Sequence, residues 1–103
     1  MKFLTICSLK DVYYTLPPSE RKQLLEETVD YINQEKKGGI ILEFYFLVGW
    51  NRVMSISEHS SAQALYQHLN SSPIGAYMNY ETYPLADLDE AANIMLERYK
   101  AVK

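Results

Sequence analysis

Apolar and polar residues alternate along the first stretch, Lys2 to Lys10. Phe3, Thr5, Cys7 and Leu9 share one side, with Leu4, Ile6 and Ser8 on the other, the period-two pattern of a strand. After Leu16-Pro17-Pro18-Ser19-Glu20 the period lengthens. Leu25, Val29 and Ile32 recur at helical spacing with Leu24, Thr28 and Tyr31 beside them. Proline suits a first helical turn and Ser19 can cap it, while Gly38-Gly39 behind Lys36-Lys37 stops the helix. Ile40 to Leu47 is rich in β-branched and aromatic residues, and Val48-Gly49-Trp50-Asn51 is a turn. Arg52 to Ser57 then returns, which gives a hairpin.

Ser60 or Ser61 caps a second helix whose buried stripe is Ala62, Leu65, Tyr66 and Leu69, and Ser71-Ser72-Pro73 ends it. Tyr77 to Tyr83 is a fourth strand, closed by Pro84. Asp87 and Glu90 have the spacing of a capping box, and a last helix runs to the C-terminus with Leu88, Ala92, Met95, Tyr99 and Val102 as a narrow apolar stripe. The order β-α-β-β-α-β is the split, ferredoxin-like arrangement of an α+β domain, here with an extra C-terminal helix. Residues 1–86 form the core of one domain and 87–103 the added helix.

Such a sheet is covered by helices on one face only. Taking the more apolar set of each strand as the covered one places Met54 and Ile56, with Leu42, Phe44 and Phe46 and with Met78, Tyr80 and Thr82, beneath the helices. The bare face then carries Glu43, Tyr45, Ser55, Asn79, Glu81 and Tyr83, mixed with Ile41 and Leu47. That mixture is too apolar for open water and too polar for a dry core. It suits a wall shared with the sheet of a second copy, so a homodimer is expected.

Composition narrows the function classes. At 103 residues there is room for one domain and one modest core. The net charge of −3, with no basic cluster beyond Lys36-Lys37, argues against a nucleic-acid partner. No stretch approaches the roughly 20 apolar residues of a membrane span, and the opening strand is not a signal peptide. The single cysteine, Cys7, excludes an internal disulfide and fits a reducing cytoplasm. No phosphate loop, nucleophile elbow or dinucleotide fingerprint is present, and the histidines lack ligand spacing, so neither metal nor cofactor is expected.

Proton transfer needs a carboxylate or histidine in a dry pocket. Glu43 and Glu81 are the candidates on the bare face. They belong to opposite edge strands, roughly 14 Å apart at about 4.8 Å per strand, and could approach only across a dimer. His59, at the junction of the third strand and second helix, is a candidate acid–base residue, although a loop histidine there is ordinarily solvated, and Tyr45 on the bare face is a further catalytic candidate. Asn79, Tyr83, Trp50, Arg52 and Tyr14 complete a candidate ligand wall. Trp50 either gates a pocket or packs on a partner subunit, and Tyr13-Tyr14 either lid a pocket or pack within a loop.

The run Ala76-Tyr77-Met78-Asn79-Tyr80-Glu81-Thr82-Tyr83-Pro84-Leu85-Ala86 resembles, without a gap, the Pro-Tyr-Met-Asp-Ile-Glu-Val-Thr-Pro-Leu-Ala run of the muconolactone isomerase family. Val48-Gly49, Ser55-Ile56, Leu65 and Pro73 fall in register with it, whereas the opening strand and Pro18-Ser19-Glu20 match only in type. The resemblance implies a dimeric α/β barrel and a cofactor-independent isomerase acting on a small organic molecule. Two features depart from it: Asn79 replaces an aspartate, and Phe46 stands where the family has an arginine that could pair with a carboxylated lactone. Related barrels include cofactor-free monooxygenases acting on phenols, and a non-enzymatic ligand-binding or assembly module is a further reading.

Overall fold

The computed structural model describes residues 1–49 and 51–102, so the expectation for Trp50 lies outside the described residues. Strand β1 (Lys2–Leu9) leads through a 3₁₀ turn (Asp11–Thr15) into helix α1 (Pro18–Lys37). Strands β2 (Ile41–Leu47) and β3 (Arg52–Glu58) form the hairpin, followed by helix α2 (Ala62–Ser71), strand β4 (Met78–Leu85) and helix α3 (Leu88–Glu97). The four strands lie in the order β2-β3-β1-β4, and every pairing is antiparallel. This is the expected α+β, ferredoxin-like arrangement.

Helix boundaries follow local chemistry. Pro18 occupies the first turn of α1, and Pro17 stands at the cap with no side-chain hydrogen bond, so Ser19 does not cap. The helix ends with Gly39 at φ +77, where the Ile40 amide donates to the Glu35 carbonyl and the Gly39 amide to that of Lys36. That double closure needs a left-handed residue, which glycine supplies at no steric cost. Ser61 caps α2, its Oγ accepting from the Ala64 amide at 3.1 Å. Asp87 makes no side-chain cap to α3, and regular helix stops at Glu97, beyond which amides 98–100 and 102 bond three residues back in tight turns. Strand β4 runs through Pro84, which an edge strand tolerates.

Register assigns the faces, because directly opposed residues share a side. Phe3 faces Ser57 and Pro84, Thr5 faces Ser55 and Thr82, and Cys7 faces Val53 and Tyr80. Phe3, Thr5, Cys7 and Ser57 are buried on this helix-covered side. Leu4 faces Ile56 and Tyr83, and Ile6 faces Met54 and Glu81, on the bare side. Strand β3 is therefore turned over relative to expectation: Ser55 lies beneath the helices, while Met54 and Ile56 lie on the bare face. Ile41 also changes sides. A bulge between Ile41 and Glu43 adds one residue to β2, setting Ile41 opposite Ser57 in the core while Glu43, Tyr45 and Leu47 stay on the bare face.

The helices also depart from their expected stripes. Leu25 and Val29 are half exposed, and α1 turns Thr28, Tyr31 and Glu35 inward instead. In α2, Leu65 is buried but Tyr66 is exposed. Leu88, Ile94 and Met95 of α3 all face solvent, and a radius of gyration of 17.4 Å exceeds the about 13 Å of a compact chain of this length. Among the described residues no helix is long and apolar enough to cross a membrane.

Candidate functional site

A cavity of about 380 Å³ opens between α1 and the helix-covered face of the sheet, within the usual range for small-molecule sites. Its floor is Cys7, Phe44, Val53 and Ser55, and its outer wall is Leu25, Val29 and Ile32 of α1. This position explains the half-exposed Leu25 and Val29: they overhang a void instead of packing on strands. Among the described residues no aspartate, glutamate or lysine lines it; Arg52, Gly49 and Asn51 stand at the hairpin end.

The polar groups gather where α1 meets α2. Tyr31 Oη donates to the His68 carbonyl at 2.9 Å and lies 3.1 Å from His68 Nδ1. A Glu35 carboxylate oxygen is 3.6 Å from the same Nδ1. Tyr80 Oη lies within hydrogen-bond distance of the Gly75 carbonyl, 3.1 Å, and that of Leu69, 3.3 Å, which pins the end of α2 to β4. Gly75 makes that closure possible, since a Cβ there would meet the Leu69 carbonyl oxygen at 2.7 Å. Burial, and secondarily Glu35, pushes the Tyr31 phenol up to about 12. Burial first, then Cys7 and Tyr31, does the same for Tyr80. Both phenols therefore stay protonated donors. Cys7 is pushed up to about 12 by burial, which makes it a thiol and an inert wall group.

His59 is buried, not solvated. Its Nε2 is 2.9 Å from Ser57 Oγ, and its ring centroid lies 6.1 Å from Phe3 and 4.9 Å from His68. Burial lowers the affinity of both histidines for a proton, and for His59 the neighbouring His68 lowers it further. The unfolded chain, with histidines near 6.5, then binds protons that the native state resists. Stability is complete above that value and declines as pH falls through it toward the lower native values. Urea midpoints are expected to fall between pH 7.5 and 5.5, and a His59→Asn, His68→Asn double variant should flatten that dependence.

The other sequence candidates lie elsewhere. Glu43 and Tyr45 on β2 and Asn79, Glu81 and Tyr83 on β4 occupy the bare face, on opposite edges of the sheet. Tyr83 Oη donates to Glu81 Oε2 at 3.1 Å, and this bond raises the phenol. Tyr14 accepts from Asn51 Nδ2 at 2.8 Å and so ties the 3₁₀ turn to the hairpin, while Tyr13 is buried against Tyr77. The structure thus brings together His59, His68, Tyr31, Glu35 and Ser57, of which only His59 was a sequence candidate. Of the described residues of the expected ligand wall, Arg52 alone lines the cavity. Among the described residues no group of three histidines, cysteines or carboxylates is placed to hold a metal ion.

A four-stranded antiparallel sheet, a helix standing off it and a small cavity between them define a ferredoxin-like α+β scaffold. The family model for muconolactone delta-isomerase matches residues 1–91, and the chain belongs to that family. Its fold is that of a crystal structure of muconolactone isomerase at 3.3 Å resolution, with a TM-score of 0.73 at 22% identity over 84% of this chain and 90% of that one. No curated protein matches the sequence.

Proposed function

We propose that this chain is a homodimeric, muconolactone isomerase-like protein that binds a small, partly apolar organic molecule and moves a proton on it without a cofactor. The observation that carries this reading is the cavity beneath α1: apolar walls meet a few convergent polar groups, the usual composition of a small-molecule site. His68 lines the cavity with the His59 ring 4.9 Å behind it, and a neutral imidazole has the character that acid–base chemistry near neutral pH requires. The family membership points to the same reaction class. Assembly is supported by the bare face, where Leu4, Ile6, Met54 and Ile56 run side by side between the tyrosine-bearing edges.

A thermal-shift screen of small lactones and phenols tests the binding. Several degrees of stabilisation at ligand concentrations well above Kd are expected. Ser55→Phe, which fills the cavity from its floor, should abolish the shift while leaving the protein folded. A ligand that stabilises wild type and Ser55→Phe equally would place binding somewhere else.

A further inference from the structure

The hydrogen bonds around Tyr31 favour one tautomer of His68. A phenol has one hydrogen, and the His68 carbonyl, 2.9 Å away, can only accept, so Tyr31 spends its hydrogen there. Tyr31 Oη is then an acceptor toward His68 Nδ1 at 3.1 Å, which requires Nδ1–H. Glu35 supports the same assignment from the same helix: its carboxylate, 3.6 Å from Nδ1, attracts an N–H and repels a lone pair. A neutral ring protonated at Nδ1 carries its lone pair on Nε2.

His68 Nε2 has no protein hydrogen-bond partner among the described residues. It is also not one of the fully enclosed unpartnered atoms, which are Thr5 Oγ1 and Arg21 Nε. His68 lines the cavity, and Nε2 is the ring nitrogen it has left for a ligand. The groups facing this ring are Tyr31 and Glu35 from α1 and His59 from the β3–α2 junction, with Tyr80 reaching the carbonyl of the next residue from β4.

We propose that His68 Nε2 is the proton acceptor of the cavity, with Tyr31 and Glu35 as positioning residues that fix its tautomer. This rests on the reading above and specifies its ligand class: a small carbonyl compound with an acidic C–H beside the carbonyl, such as a β,γ-unsaturated lactone, or a phenol. In the reactive case the C–H bond breaks, its electron pair enters the dienolate, and the proton passes to Nε2. The same proton returns to the far carbon of the dienolate, giving the conjugated isomer and neutral imidazole with no change of oxidation state. Glu35 offsets the transient imidazolium charge.

The test uses the full-length ¹⁵N-labelled protein with p-cresol as probe and α-angelica lactone as substrate. Long-range ¹H–¹⁵N spectra at pH 7.5 should show His68 in the Nδ1–H form, assigned against His68→Asn, which keeps a polar group near Nδ1 and removes Nε2. Saturation with p-cresol should shift Nε2. His68→Asn should bind p-cresol about tenfold more weakly, the worth of one hydrogen bond. It should also slow conversion of the lactone by about 10²-fold or more. Tyr31→Phe should move His68 toward the Nε2–H form and slow the reaction with little change in KM. An Nε2–H ring in wild type, or p-cresol binding with His68 unperturbed, overturns the assignment while leaving the binding function intact. Failure of p-cresol and of the lactone to bind at all overturns both.

Discussion

Replacing Phe3 with alanine is expected to cost about 3–5 kcal/mol, the range for deleting a buried phenylalanine ring. Phe3 is 4% exposed, stands opposite Ser57 and Pro84, and packs against the His59 ring. Few side chains in this small core are so fully enclosed, because the cavity beneath α1 removes the centre of the sheet from ordinary packing. Little else could close over the space the ring leaves. At about 4–8 °C per kcal/mol for a domain of this size, the thermal midpoint should fall by more than about 10 °C. Phe46→Ala is the control: that ring is 73% exposed and its loss should change the midpoint little. Equal effects from the two variants in urea or thermal melts would contradict the burial pattern.

The contrast between these two phenylalanines marks how far residue type alone carries a reading of this chain. Alternation in β1 separated its two faces without saying which is covered, and the structure buries the Phe3, Thr5 and Cys7 set. In β3 the apolar set was the wrong guide. Ser57 is buried where its hydroxyl meets His59, and Ser55, half-buried, floors a cavity that no side chain fills. Met54 and Ile56 lie on the bare side, where a partner sheet would cover them. The bulge that moves Ile41 into the core has no sequence marker here, neither glycine nor proline.

The candidate site was less legible for the same reason. Tyr31 and His68 are 37 residues apart and meet only because α1 and α2 lie side by side. Spacing rules search within one element or motif, so they found His59 and passed over its partner. A signal did exist. Tyr31 and Glu35 are four residues apart on one face of α1, and His68 follows Leu65 by three on the buried face of α2. Polar residues on the inward stripes of two neighbouring helices are costly unless they meet each other.

Introducing a charge at the centre of the bare face should take the proposed dimer apart. Ile6 is the residue for this, since it lies on β1, an inner strand, between Met54 on β3 and Glu81 on β4. Ile6→Glu removes an apolar contact from the middle of the proposed interface. It also places a second carboxylate beside Glu81, and facing another copy of the same sheet it would double that repulsion across the twofold axis. Wild type is expected to elute with the mass of a dimer or higher assembly in light scattering, and Ile6→Glu as a monomer. The isolated monomer exposes this face to water, so the substitution should leave its secondary structure intact by circular dichroism. Monomeric wild type would overturn the proposed dimer, and an Ile6→Glu protein that still dimerises would mean that assembly uses another surface, with the exposed apolar face of α3 next in line.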